Sequence, residues 1–162
     1  METPQLSSEA YELAESIARY AQDAGLTVAT AESLTSGQVA AHLGAASSSA
    51  SWFKGGVVAY QDDVKFDVLG APRGPVVSAD CGQGMAEGVR RLLGADVAVA
   101  VTGVGGPDEE EGQPPGTVFI AVSGAGGGSC HRHGFDGDPK EVLTATALEA
   151  LKALVAQLGP RG

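Results

Sequence analysis

Apolar side chains recur at helical spacing over residues 8 to 24, where Leu13, Ala14, Ile17, Ala18 and Ala21 share one face. Ser7 or Ser8 is placed to cap this helix and Gly25 to stop it. LTVATA (26 to 31) then reads as a buried strand, and SGQVAAHLG (36 to 44) as a short helix packed back on it. GGVVAY (55 to 60) is a second strand, followed by a helical turn through DDVKFDVLG. Gly70, Pro72, Gly74 and Pro75 mark a loop. Ser78 caps a helix predicted from Ala79 to Leu93. Within it Gly82, Gly84 and Gly88 each cost about 1 kcal/mol relative to alanine, so this helix must gain its stability from packing.

ADVAVAVTG (95 to 103) is almost wholly apolar and rich in valine, the pattern of a central strand covered on both faces. GTVFIAVSG (116 to 124) and SCHRHGF (129 to 135) are joined by the short connection AGGG, which favours a hairpin and an antiparallel partner. The final helix opens with Asp138 as cap, Pro139 in the first helical position and Glu141 closing a capping box. Val142, Leu143, Ala147, Leu151, Leu154, Val155 and Leu158 form its apolar face, and Gly159-Pro160 ends it. The expected fold is α/β: a three-layer α/β/α sandwich with a mixed, mostly parallel sheet of about five strands, in one domain spanning residues 1 to 162.

Composition narrows the function classes. Ten Lys and Arg against 20 Asp and Glu give a formal net charge of −10, which argues against nucleic acid and against an anionic membrane surface as partners. An anionic small molecule would need a local basic pocket. Cys81 and Cys130 lie in different elements without C-x-x-C spacing, so neither a disulfide framework nor a metal site is expected. The first fifteen residues carry acids and no signal-like apolar core, and no run approaches the ~18 apolar residues of a membrane span. A cytoplasmic location is expected.

Three segments break from strand to polar loop, where open α/β sheets bind ligands. TAESLTSG offers Ser33, Thr35 and Ser36; AYQDDVK offers Tyr60 and Lys65; VTGVGGP offers Thr102 and a glycine-rich backbone. A serine hydroxyl needs a base to become a nucleophile, and Lys65 is the candidate because no histidine lies in these segments. Amides from Leu34 to Ser36 could hold an oxyanion. Taken alone, Ser33 reads more readily as a helix cap than as a nucleophile, Lys65 as a solvated cation, Thr102 as an ordinary strand end, and DEEE (108 to 111) as a solvated loop. His131 and His133 alternate on one strand and read as an exposed edge.

The combination of TAESLTSG, SSSASWFKGGVVAYQDDVK, GMAEGVRRLLGADVAVAVTGVGGP and PPGTVFIAV resembles the CinA C-terminal domain family. That family of competence and damage-inducible proteins includes stand-alone nicotinamide mononucleotide deamidases of the PncC type. The resemblance implies hydrolysis of the nicotinamide mononucleotide carboxamide to nicotinate mononucleotide and ammonia, in pyridine nucleotide salvage. It implies Ser33 as nucleophile, Lys65 as base and Tyr60 as a positioning or polarising group. It places substrate binding on Glu32, Leu34, Thr35, Ser36 and Gly37, and on Thr102, Gly103, Gly105 and Gly106. No metal or organic cofactor is implied, and a homo-oligomer is expected.

The chain also departs from the family pattern. Leu34 stands for a cysteine and Ser36 for a glycine, and the loop after Pro107 carries DEEEGQ in place of a glycine-rich segment with a lysine. Two arginines usual at the start of the final helix are Pro139 and Leu143 here, which removes a phosphate clamp unless Lys140, Arg132 or Lys54 replaces it.

Overall fold

The computed structural model describes residues 7–160. Its elements run α1 (Ser8–Ala24), β1 (Val28–Glu32), α2 (Gln38–Gly44), α3 (Ser49–Trp52), β2 (Phe53–Val58), α4 (Asp62–Asp67), α5 (Ala79–Leu93), β3 (Val97–Gly103), β4 (Thr117–Gly124), β5 (Gly127–Gly134) and α6 (Pro139–Leu158). The helix ends follow local chemistry. Ser7 Oγ accepts from the Ala10 amide at 3.1 Å, Gly25 adopts the left-handed conformation that closes α1, and Ser78 Oγ accepts from the Cys81 amide. At α6 the Glu141 amide donates to Asp138 Oδ1 at 2.8 Å and the Asp138 amide donates back to Glu141 Oε1.

The sheet order is β2-β1-β3-β4-β5. β1 pairs in parallel with β2 and β3, whereas β4 lies antiparallel to β3 and β5 antiparallel to β4, so β4 alone runs against the other strands. The ADVAVAVTG strand is the middle one. Side-chain alternation divides it cleanly. Val97, Val99 and Val101 join Val28, Val118, Ile120 and Val122 on one face, against α1, α2 and α6. Ala98 and Ala100 join Ala29, Ala31 and Ala121 on the other, against α5. Branched side chains fill the first layer; alanine leaves the second shallow, so α5 sits close. The resulting order of layers is helix, sheet, helix.

The glycines of α5 serve this close packing. A Cβ at Gly88 would overlap the carbonyl oxygen of Leu69, and one at Gly84 would lie 2.8 Å from Pro72 Cδ. Their low helix propensity is offset by contact with the loop that follows α4.

Some local details differ from the sequence reading. The tetrapeptide SASW forms α3, which anchors buried Trp52 through its Nε1 donating to the Ser47 carbonyl at 3.0 Å. β2 begins at Phe53 rather than Gly55, and β5 begins at Gly127, inside the AGGG connection. On α6, Thr146 and Ala150 are in the core, while Leu143 and Val155 are only half-buried; Leu143 turns out to face a cavity instead.

Three stability predictions arise here. Gly88→Ala should destabilise the fold by about 1–3 kcal/mol in urea titration, the usual range for overpacking. Gly44→Ala, with nothing within 4 Å of the added carbon, should be neutral or slightly stabilising. Burial pushes the Cys81 thiol up to about 11, with Lys65 opposing and Asp62 and Glu111 reinforcing the shift. Between pH 9 and 11 the unfolded chain therefore releases a proton that the folded chain keeps, and stability falls as pH rises. Denaturant titrations at pH 8 and pH 11 should show a loss about 2–3 kcal/mol greater in the native protein than in Cys81→Ala.

Candidate functional site

The chain leaves β1 through a turn built around one buried carboxylate. Alternation puts Glu32 on the same face as Val28, and it is 1% exposed. Its Oε1 accepts from Thr35 Oγ1 at 2.6 Å and from the Val39 amide at 2.9 Å, and its Oε2 accepts from the Ala40 amide at 3.0 Å. A negative charge thus meets the orphan donors that open α2. The N-cap position of that helix belongs to Gly37, which contributes no side-chain bond. Ser33 is therefore not the cap of α2.

Ser33 falls on the opposite, alanine-lined face. Its amide donates to the Val101 carbonyl at 3.1 Å, and its carbonyl accepts from the Ser36 amide at 3.1 Å. The residue is 8% exposed, and among the described residues its hydroxyl has no hydrogen-bond partner. The Ser36 amide is spent within the turn, which leaves those of Leu34 and Thr35 as the unengaged donors beside Ser33.

Lys65 is 2% exposed on α4. Its Nζ donates to the Tyr60 carbonyl at 3.0 Å and lies 3.6 Å from Asp62 Oδ1, with no direct hydrogen bond to Ser33. Tyr60 itself is 67% exposed, so its contact with Lys65 is made through the backbone.

Ser33, Leu34, Tyr60, Lys65, Thr102, Gly103, Gly105 and Gly106 share the wall of one cavity of about 330 Å³. Volumes of this order suit a small organic ligand. Glu32, Thr35, Ser36 and Gly37 do not line it: the first two are buried beneath the turn, and Ser36 faces solvent. Their contribution is to the shape of the turn.

Several wall residues escaped the sequence reading. Val76 and Val77 line the cavity, held there because Thr102 Oγ1 donates to the Val76 carbonyl at 2.8 Å. The amides of Val76 and Val77 donate to the two carboxylate oxygens of Glu111, at 3.0 and 2.6 Å. DEEE is thus no simple solvated loop. Glu111 fastens it, and Asp108, Glu109 and Glu110 form part of the cavity wall, as does Asp62. Pro139 and Leu143 complete the wall from α6. Lys54, Arg132 and Lys140, the candidate replacements for the missing arginines, do not line it. The alternation of β3 was a usable signal for Thr102, whereas nothing local in the sequence announces that the acidic loop folds over this opening.

The family profile of the CinA C-terminal domain matches residues 10–158. A CinA-like protein from Geobacter metallireducens is 38% identical over 148 residues, covering 88% of this chain and 36% of that protein. The chain spans about a third of the length of the curated relatives it matches. The crystal structure of competence damage-inducible protein A from Klebsiella pneumoniae superposes with a TM-score of 0.89 at 36% identity, covering 94% of this chain and 99% of that one. A CinA superfamily protein from Enterobacter cloacae gives a TM-score of 0.90 at 31% identity, covering 98% and 99%. With the profile spanning nearly all of the described residues, and with the same sheet and helices in solved relatives, this chain belongs to the CinA C-terminal domain family.

Proposed function

We propose that the cavity hydrolyses the carboxamide of an N-ribosyl nicotinamide, with nicotinamide mononucleotide as the substrate that the family resemblance implies. The observation that carries this reading is a serine whose hydroxyl, on a largely buried residue, has no hydrogen-bond partner among the described residues and stands on the same cavity wall as a buried lysine. Ser33 Oγ attacks the carboxamide carbon, and its proton passes to Lys65 Nζ in the amine form. Amides beside Ser33 support the tetrahedral oxyanion. The C–N bond then breaks, the leaving nitrogen takes the proton from Lys65, and ammonia departs. Water, deprotonated by the same amine, cleaves the resulting ester and restores Ser33. Tyr60 positions Lys65 through its carbonyl, at 3.0 Å from Nζ. The reaction would take place in the cytoplasm, as part of pyridine nucleotide salvage, in a homo-oligomer.

A second reading is a nucleotide-binding module without turnover. It draws on the commitment of Lys65 Nζ to Tyr60 and Asp62 rather than to Ser33. Apo side chains often tighten only around substrate, which is why the hydrolytic reading is preferred.

Purified protein should release ammonia from the mononucleotide or from its nucleoside. Ser33→Ala should reduce that rate to background with a melting temperature close to the parent, and Lys65→Met should lower it by about 10²–10⁴. An inert parent protein, or a Ser33→Ala variant as active as the parent, defeats the hydrolase. Thermal stabilisation by either compound without conversion would establish the binding module instead.

A further inference from the structure

Among the described residues the wall of the cavity carries four acidic side chains, Asp62, Asp108, Glu109 and Glu110, and one basic side chain, Lys65. Asp62 lies 3.6 Å from Lys65, whereas Asp108, Glu109 and Glu110 have no ion-pair partner among the described residues. Among the described residues no arginine lines the cavity. The nearby start of α6 offers an anion less than a helix N-terminus usually does. A helix N-terminus ordinarily offers free amides to phosphate. Here Pro139 has no N–H, the Glu141 amide is taken by Asp138 Oδ1 at 2.8 Å, and Asp138 and Glu141 bring two negative charges against the single positive charge of Lys140, which does not line the cavity. Set into this negative wall is Ser33, a residue more than nine-tenths buried whose hydroxyl has no hydrogen-bond partner among the described residues. A hydroxyl left open toward a cavity is free to bond a ligand atom there.

We propose that this cavity selects a cationic carboxamide of the N-ribosylpyridinium class that lacks a phosphate, in preference to its phosphorylated counterpart. The inference rests on the hydrolytic reading for its choice of ring and amide, and adds the charge rule. A pyridinium is attracted by the carboxylates around Ser33, and a phosphate placed on the same wall is repelled by them. Because Asp108, Glu109 and Glu110 are exposed, the discrimination weakens as salt rises, over a screening length of about 10 Å at 0.1 M.

The test measures binding and turnover separately. Calorimetry on Ser33→Ala at low ionic strength should give nicotinamide riboside a Kd at least tenfold below that of nicotinamide mononucleotide. The gap should narrow at 0.5 M salt, and in a Glu109→Gln/Glu110→Gln background by several-fold. Ammonia release by the parent protein should follow the same order in kcat/KM. Equal or tighter binding of the mononucleotide overturns the charge rule even if ammonia is released. The expected order of binding without any ammonia defeats the hydrolase reading and leaves the selectivity standing. If neither compound binds, both fall.

Discussion

The geometry of the site hangs on the carboxylate of Glu32. A buried charge is tolerated only when its lone pairs are met, and here two amides and a hydroxyl meet them, all from within eight residues of Glu32. The Glu32 carbonyl also accepts from the Ala59 amide at 2.7 Å, and the adjacent Ser33 amide donates to β3. One short stretch therefore ties together the ends of three neighbouring strands and the start of a helix. Ser33 has no freedom to choose another direction, because the residue before it is bonded on one face of the sheet and the strand alternation sends it to the other.

The cavity lies past the carboxyl ends of β1 and β3, where Ser33 and Thr102 continue the alanine rows and Pro139 and Leu143 of α6 close the opposite wall. Valine and isoleucine thicken the layer under α1 and α6, whereas the alanine face lets α5 and the segment from Leu69 to Val77 approach the sheet. Thr102 continues the alanine row of β3 and uses its hydroxyl to hold Val76. The glycines of α5 make its close approach to Leu69, Ala71 and Pro72 possible.

Most of the scaffold could be read from the chain because its signals are local. Ser7 with Gly25, Ser78, and the Asp138-Pro139-Glu141 group each act within a few residues, and the structure uses each as a terminus signal. SASW is too short to show a period, so α3 had no such signal. Glu32 was assigned to substrate although its place in the alternation with Val28 and Thr30 puts it on a core face; motif reading took precedence over periodicity. The acidic loop posed a different difficulty. Whether Asp108, Glu109 and Glu110 face water or a cavity depends on a long-range bond from Glu111 to Val76 and Val77, separated by 35 and 34 positions.

That bond has a cost and a return. Glu111 adopts φ 53°, a left-handed conformation that disfavours a residue with a side chain by about 1–2 kcal/mol. Two charge-assisted hydrogen bonds to the chain entering α5 oppose the strain. One acid of the run is consumed as a rivet so that its three neighbours stand still. The rim around Ser33 is thus pinned at Glu111, and whatever enters meets the electric field of the three acids before it.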